Sequence, residues 1–163
     1  MRRGVWVALL VILLLPLAAS ANPELLSMQK DDGQWALPAK NYSATRFSSL
    51  GQITTDNVKK LKVAWSFSTG ALRGHEGAPL VVGTTMYVHS AFPNHVYALD
   101  LAKEGAPIKW AYTPKQDARA VPVACCDVVH RGLNFAEGKI LMVTLDGQVI
   151  ALDANTGKEI WKI

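Results

Sequence analysis

A short motif that occurs twice constrains the fold of this 163-residue chain more than any other feature. Residues 96–100 read VYALD and residues 149–153 read VIALD, so the two copies lie about 50 residues apart. A turn containing glycine follows each copy, and then a strand-like segment with Trp110 or Trp161. A glycine-led strand pattern precedes each copy. This unit has the length and pattern of a four-stranded propeller blade.

The repeat predicts an all-β fold in which tryptophans on the last strands pack between neighbouring blades, because a large ring buries much area. The alternative is an ordinary β-sandwich, in which tryptophans fill the core without a period. A propeller needs at least about four blades, whereas residues 62–163 suffice for about two. We therefore expect the chain to be an N-terminal part of a longer protein.

Alternation of apolar and polar residues predicts the individual strands. Asp146 and Gly147 predict a two-residue hairpin turn, and residues 155–158 predict a longer turn. The predicted strands cover residues 63–69, 80–82, 86–89, 96–100, 109–112, 121–129, 139–144, 149–153 and 159–163.

Residues 22–61 come before the β pattern and are predicted to form an N-terminal arm with little regular structure. A short helix is expected at residues 23–29. A second short helix is expected to end at Leu61, with Thr54 or Thr55 as its N-cap. The chain thus divides into a leader, this arm and the incomplete propeller of residues 62–163.

Residues 1–21 have the composition of a secretory signal peptide. Arg2 and Arg3 are followed by an apolar run over residues 5–19, and small residues at Ala19 and Ala21 mark a cleavage site before Asn22. The alternative is a membrane anchor, but about 15 apolar residues are too few to cross a typical bilayer core of ~30 Å. The sequence therefore predicts export to the periplasm and no integral membrane segment.

Charge does not suggest a nucleic-acid partner. Without the two leader arginines the chain is nearly neutral, although its formal net charge is +4. The remaining basic residues are dispersed, apart from Lys59, Lys60 and Lys62 beside the second predicted helix. Such a cluster is more typical of a solvated face than of a nucleic-acid stripe.

Cys125 and Cys126 are the only cysteines, and they are adjacent in the sequence VPVACCDVVHR. Export favours a disulfide. However, neighbouring Cα atoms lie about 3.8 Å apart, below the roughly 4.4–6.8 Å span of ordinary disulfides, so the bond would close a strained eight-membered ring. Two buried free thiols are the alternative, and local chemistry leaves both open. A redox role for the thiols is disfavoured, because redox pairs usually carry a spacer.

Four segments carry a likeness to a known family: GHEGAPL at 74–80, CCDVVHRGL at 125–133, AWSFSTG at 64–70 and ALDANTGKE at 151–159. The most specific element is the cysteine pair followed five residues later by Arg131. On these segments the chain resembles the N-terminal part of the pyrroloquinoline-quinone-dependent alcohol dehydrogenases. The likeness is strongest to the methanol dehydrogenase large subunit, including its lanthanide-dependent branch, and it extends over essentially all residues after the predicted cleavage site.

The resemblance implies an eight-bladed quinoprotein β-propeller with the quinone near its axis. It implies that Cys125 and Cys126 form a disulfide ring that stacks on the planar cofactor. Glu76 matches a residue at the cofactor's polar edge, and Arg131 matches one that reaches its quinone oxygens. A Ca²⁺ or lanthanide ion is implied as well. Its ligands and the catalytic Asp belong to later blades, so no catalytic or metal-binding residue is expected in this fragment, which we expect to be inactive alone.

The implied function is periplasmic oxidation of methanol or another short primary alcohol, with hydride transfer to the quinone and electrons passed to cytochrome c. A homodimer, or an assembly with a small subunit, is implied for the full length. The alternative is a non-catalytic exported propeller that serves as a scaffold or binding protein. The adjacent cysteines, Glu76 and Arg131 favour the enzyme. Asp127 and Asp146 are assigned to a loop and a turn, not to catalysis. The four histidines do not have the sequence spacing of metal ligands; they are His75, His89, His95 and His130.

Overall fold

A computed structural model describes residues 21–163, so almost all of the predicted signal peptide lies outside the described residues. The helix α1 spans Pro23–Met28, which confirms the first helix prediction. Its N-cap is Asn22, whose side-chain oxygen accepts hydrogen bonds from two backbone N–H groups of the first turn, at 2.9 and 3.2 Å. No helix within residues 21–163 is long and apolar enough to cross a membrane.

The second predicted helix is shorter than expected. It is a 3₁₀ helix at Val58–Lys60 that begins after Asn57, so the expected threonine cap is wrong. Asn57 instead accepts a hydrogen bond from the Thr54 backbone N–H through its side-chain oxygen, at 2.8 Å, and this short-range bond competes with a longer helix. Another 3₁₀ helix covers Ala118–Val123.

The β structure consists of two four-stranded antiparallel sheets and one parallel pair of short strands. The strands are β1 His75–Ala78, β2 Leu80–Val82, β3 Thr85–His89, β4 Val96–Asp100, β5 Ile108–Tyr112, β6 His130–Gly132, β7 Asn134–Ala136, β8 Lys139–Val143, β9 Val149–Asp153 and β10 Glu159–Lys162. The first sheet has the order β2-β3-β4-β5 and the second the order β7-β8-β9-β10, while β1 pairs with β6.

The two copies of the repeat occupy the same place in the two sheets, which confirms the blade prediction. VYALD forms β4 and VIALD forms β9, each the third strand of its sheet. Leu99 of the first copy pairs with Met86, and Leu152 of the second pairs with Ile140. Apolar residues from both sheets form one continuous core.

Trp110 on β5 joins the two sheets, as the repeat predicts. Its ring is 8 % exposed, and its Nε1–H donates a hydrogen bond of 3.0 Å to the carbonyl of Ala154 in the turn after β9. Tyr87 on β3 donates to the same carbonyl at 3.0 Å. Two buried polar groups are thus satisfied by one backbone oxygen between the sheets.

Two predicted strands are wrong. Residues 63–69 form no regular strand, although Phe67 packs edge-on against Tyr97 with ring centroids 5.0 Å apart. An alternating segment needs a neighbouring strand for its hydrogen bonds, and within residues 21–163 this segment has none. Residues 121–129 also form no strand. The first three of them belong to the 3₁₀ helix at Ala118–Val123. Cys126 and Asp127 both have φ of 67°, a backbone conformation that is incompatible with a strand.

The hairpin between β8 and β9 is present, but its loop has three residues instead of two. Thr144 and Gln148 close it, with a hydrogen bond of 2.9 Å from the Thr144 N–H to the Gln148 carbonyl. Gly147 has φ of 88°, a left-handed conformation that glycine adopts without steric cost. The prediction of a hairpin at Asp146 and Gly147 is therefore confirmed, and the predicted loop length of two residues is wrong.

The N-terminal arm packs on the first sheet. Trp35 and Val81 exchange two backbone hydrogen bonds of 2.8 and 3.0 Å. Lys40 is buried, and its Nζ donates to the carbonyls of Asp31 and Gln34 at 2.6 and 3.0 Å. These bonds hold the following residues of the arm beside β1.

Candidate functional site

The parallel pair of β1 and β6 brings two of the predicted site residues together. His75 pairs with His130 and Ala78 pairs with Gly132, so two residues of β1 lie opposite one residue of β6. Those residues are Glu76 and Gly77 on β1 and Arg131 on β6. An extra residue of this kind bends a strand and redirects its side chains. Here the irregularity lies at the predicted site.

Glu76 and Arg131 form an ion pair, with the carboxylate oxygen and the guanidinium Nε 3.6 Å apart. Both side chains are largely exposed, so the contribution of the pair to stability is small, on the order of 0–1 kcal/mol. A charged pair with so little value for folding remains available to a ligand. The resemblance assigned both residues to one cofactor, Glu76 to its polar edge and Arg131 to its quinone oxygens, and these roles stay predictions.

A cleft of about 690 Å³ lies beside this pair. Its walls combine charged side chains with an apolar surface, and it includes one residue that the sequence did not single out, Arg46 of the arm. The aromatic and apolar part of the wall comes from Trp35, Pro38, Ala39, Ala78, Pro79 and Val81. With two arginines and one glutamate, the charged part favours an anionic ligand.

The cysteine pair forms a disulfide in the structure, with Cα atoms 3.8 Å apart. Both cysteines are exposed, and neither is among the residues that line the cleft. The segment after them is held by an ion pair of 3.2 Å between Arg73 and Asp127 and by a hydrogen bond of 3.0 Å from the Phe92 N–H to the Val128 carbonyl. The ring is therefore a fixed feature of the surface, four residues before β6.

The two aspartates that the sequence assigned to turns are engaged locally. Asp127 pairs with Arg73. Asp146 accepts hydrogen bonds from the Thr144 hydroxyl, the Asp117 backbone N–H and the Gln148 side chain. Burial acts to raise the pKa of Asp146, but these hydrogen bonds outweigh it and lower that pKa. A carboxylate stabilised in this way is a weak base.

The histidines show one arrangement that their spacing did not reveal. The rings of His89 and His130 lie in contact, with centroids 4.4 Å apart, and both side chains are buried. Burial lowers the pKa of both, and that of His130 falls to about 4. Residues 21–163 contain no group of three or more His, Cys, Asp or Glu side chains that could hold a metal ion.

Residues 35–162 match the sequence family described as the PQQ β-propeller domain of glucose, ethanol and alcohol dehydrogenases. The chain belongs to this family. Membership explains the two four-stranded sheets and their docking tryptophan, and it confirms the predicted fold class.

Relatives in the PQQ family are similar over most of the chain. A lanthanide-dependent methanol dehydrogenase of Methylacidiphilum fumariolicum (strain SolV) is 68 % identical over 145 residues, which cover 89 % of this chain and 24 % of the relative. The methanol dehydrogenase [cytochrome c] subunit 1 of Methylorubrum extorquens is 49 % identical over 166 residues, which cover 96 % of this chain and 26 % of the relative.

Solved structures agree with the sequence comparison. A europium-containing methanol dehydrogenase superimposes with a TM-score of 0.86 at 68 % identity, over 87 % of this chain and 25 % of the solved chain. The chain thus spans about a quarter of the length of these members of the PQQ family.

Proposed function

We propose that this chain contributes one wall of a pyrroloquinoline quinone site in a protein that oxidises methanol or another short primary alcohol. One observation carries the proposal: Glu76 and Arg131 meet across the irregular β1–β6 pair beside a cleft. The names of the similar proteins, which are methanol dehydrogenases, supply the substrate class.

The chemistry of the cleft fits such a cofactor. The quinone is flat, aromatic and anionic, and the cleft combines an apolar surface with Arg46 and Arg131. The exposed Cys125–Cys126 ring lies outside the lining of this cleft and offers a further rigid, polarisable surface on which a planar ring system can stack. A shallow wall of this kind orients a flat ligand but does not enclose it, and a second wall is needed to exclude water.

In this proposal each residue has a limited role. The guanidinium of Arg131 stabilises negative charge on an oxygen beside it. Glu76 accepts hydrogen bonds at the polar edge of the ligand and, through its ion pair, orients the guanidinium of Arg131. When bound, the quinone supplies the acceptor for the hydride of the alcohol. The protein contributes orientation and electrostatics.

The metal, the partners and the location belong to the same proposal. We infer a Ca²⁺ or lanthanide ion beside the cofactor as a Lewis acid, and the names of two relatives favour a lanthanide. Cytochrome c is the proposed electron acceptor, in line with the name of another relative. Export to the periplasm by a cleaved signal peptide, and a homodimer or an added small subunit, complete the proposal.

The test compares variants of the native protein supplied with quinone and either Ca²⁺ or a lanthanide. Cys125→Ser and Arg131→Ala are expected to lower dye-linked methanol oxidation by about a hundredfold, the range for loss of a positioning or electrostatic contact. Glu137→Gln serves as the control, because its exposed carboxylate pairs with Lys139 and does not line the cleft. It should change the rate by less than about threefold, equivalent to less than 1 kcal/mol.

Two results would contradict the proposal. Native protein without quinone absorbance and without alcohol oxidation under either metal would exclude the function. Full activity of Cys125→Ser and Arg131→Ala would leave the function intact and remove these residues from the cofactor site.

A further inference from the structure

The buried histidine pair lies directly behind the strands that carry Glu76 and Arg131. His89 is the last residue of β3 and His130 is the first residue of β6. A Cβ atom added to Gly77 would lie 1.9 Å from Nε2 of His89, so the imidazole occupies the space that a side chain at position 77 would fill. Gly77 belongs to the irregular part of β1, next to Glu76. His130 is covalently adjacent to Arg131.

The pair is costly for an ordinary core. The Nδ1 atoms have local partners, the Ser90 carbonyl for His89 at 3.4 Å and the Gly132 N–H for His130 at 3.3 Å. Both Nε2 atoms are buried without a hydrogen-bond partner among the described residues. Each such group costs roughly 1–3 kcal/mol. Apolar residues would fill this space without that cost, so stability does not explain why two histidines lie here.

We propose that His89 and His130 are positioning residues, and that their rings, in contact and tilted by 47° to each other, set the spacing of Glu76 and Arg131 by supporting the irregular segment of β1 against β6. A flat ring fits the narrow space behind a glycine. Both rings are neutral at neutral pH, because burial lowers both pKa values. They therefore act through shape and do not compete with the charges of the ion pair. The inference rests on the proposed function, since cofactor affinity is its main readout.

The experiment is a double-mutant cycle in the native protein, with pyrroloquinoline quinone affinity as readout and melting temperature recorded beside it. His89→Ala empties the space and Gly77→Ala introduces a methyl group into it. Each single substitution is expected to weaken quinone binding by about tenfold, because a small displacement of positioning groups has effects of this size. If the two sites acted independently, the double variant would lose about a hundredfold. In the double variant the methyl group introduced by Gly77→Ala enters the space that the His89 ring leaves. We therefore expect the quinone affinity of the double variant to fall by only about tenfold.

Two matched controls accompany the cycle. His95→Ala removes a histidine that is bonded to the Thr113 hydroxyl at 2.8 Å, away from the cleft. Gly51→Ala adds a methyl group where no atom lies within 4 Å. Both are expected to leave quinone affinity within about twofold of the wild type, less than 0.5 kcal/mol.

A role in stability alone predicts a different result: lower melting temperatures with unchanged affinity for quinone. That result, or a hundredfold loss in the double variant, overturns the proposal. If an alanine variant does not fold, His89→Gln replaces the ring by a flexible chain, and an affinity loss below about twofold overturns it equally.

A failure of the proposed function is recognised separately, because wild-type protein would then bind no quinone. Crystal structures of the wild type and of His89→Ala would still decide the inference. The Glu76–Arg131 separation, 3.6 Å here, is expected to increase beyond about 4 Å, the limit for an ion pair, and an unchanged separation overturns the positioning role.

Discussion

The two sheets contain the same motif, but their tryptophans have different environments. Trp110 of the first sheet is 8 % exposed and Trp161 of the second sheet is 41 % exposed. Both lie on the last strand of a four-stranded sheet, after an ALD segment and a turn. Only the neighbourhood differs: the turn after β9 covers Trp110, and no equivalent turn within residues 21–163 covers Trp161.

The contacts of Trp110 show that this tryptophan stabilises the contact between the two repeats. The Trp110 ring contacts Ala154 and Gly157, and both of these residues belong to the turn of the next repeat. The motif therefore stabilises the fold through the interface between neighbouring repeats, as in other repeat proteins. An isolated copy has the correct strand pattern but not this contact.

Replacement of the two tryptophans gives the largest test of this comparison. Trp110→Ala is expected to lower the free energy of unfolding by about 3–5 kcal/mol, because a buried ring and its hydrogen bond are lost. Trp161→Ala should cost less, about 1–2 kcal/mol in this chain, since its ring is already 41 % exposed. Urea unfolding of the chain measures both. Equal losses would refute the nearest-neighbour interpretation.

The contact between His89 on β3 and His130 on β6 joins the first sheet to the β1–β6 pair. This contact should respond to pH, which the tryptophan contact does not. His130 has an ordinary pKa of 6.5 when unfolded and a pKa of about 4 in the fold, through burial and then through the nearby His89. Below pH 6.5 the unfolded chain binds a proton that the fold excludes, so stability falls as pH falls from 6.5 to 4. The expected loss is about 3 kcal/mol.

The control for this pH effect is His130→Phe, which keeps an aromatic ring and removes the titration. Carboxylates also lose their stabilising contacts in acid, mainly at the lower end of this range. The difference between wild type and His130→Phe therefore isolates the histidine. A wild-type stability that stays level from pH 6.5 to 4 would contradict the buried, neutral state of the ring.

The same comparison explains what could be predicted from the sequence. Strands such as β4 and β9 were predicted because their alternation is local and their partners are adjacent in the chain. The pairing of β1 with β6 was missed, since it joins short segments that are distant in sequence and do not alternate. Residues 63–69 have a strand pattern but no partner strand, so pattern alone led to a wrong prediction.

The candidate site was predictable only in part, and for a related reason. Glu76 and Arg131 were selected through resemblance to a family, because no local pattern links two charged residues on different strands. Arg46 and the contact between His89 and His130 gave no sequence signal. Their proximity is a result of tertiary packing, to which periodicity and motif spacing are insensitive.

Two glycines at similar turn positions offer a finer test of the contact. Gly105 follows β4 and Gly157 follows β9, with φ of 73° and 70°. Alanine at either position incurs backbone strain of about 1 kcal/mol. At Gly157 the added Cβ would also lie 2.5 Å from the Trp110 ring, whereas at Gly105 no atom lies within 4 Å. We expect Gly157→Ala to cost about 2–4 kcal/mol in total and Gly105→Ala only the strain.

The matched double variants identify the cause. In a Trp110→Ala background the ring is absent, so Gly157→Ala should then cost as little as Gly105→Ala. Thermal or urea unfolding compares Gly157→Ala and Gly105→Ala, each alone and in the Trp110→Ala background. If the excess cost of Gly157→Ala persists without the ring, the close approach of Trp110 is not its origin.

The smallest expected effect concerns Tyr112, two residues after Trp110 on β5. Its hydroxyl donates a hydrogen bond of 2.6 Å to a carboxylate oxygen of Glu159 on β10. Burial first, and then this carboxylate, raises the pKa of Tyr112, so the hydroxyl keeps its proton and remains a donor at neutral pH. Because the bond lies near solvent, Tyr112→Phe is expected to cost only about 0.5–1.5 kcal/mol. Urea unfolding measures that cost.

The value of this small effect is what it reveals about the interface. If Trp110 holds the sheets together, its removal separates Tyr112 from Glu159 as well. Tyr112→Phe should then cost nothing further in a Trp110→Ala background, and the two losses should not add. Additive losses would instead mean that the sheets stay in register without the tryptophan. In that case the repeat would be held by several independent contacts, and the difference between Trp110 and Trp161 would matter less than their exposure suggests.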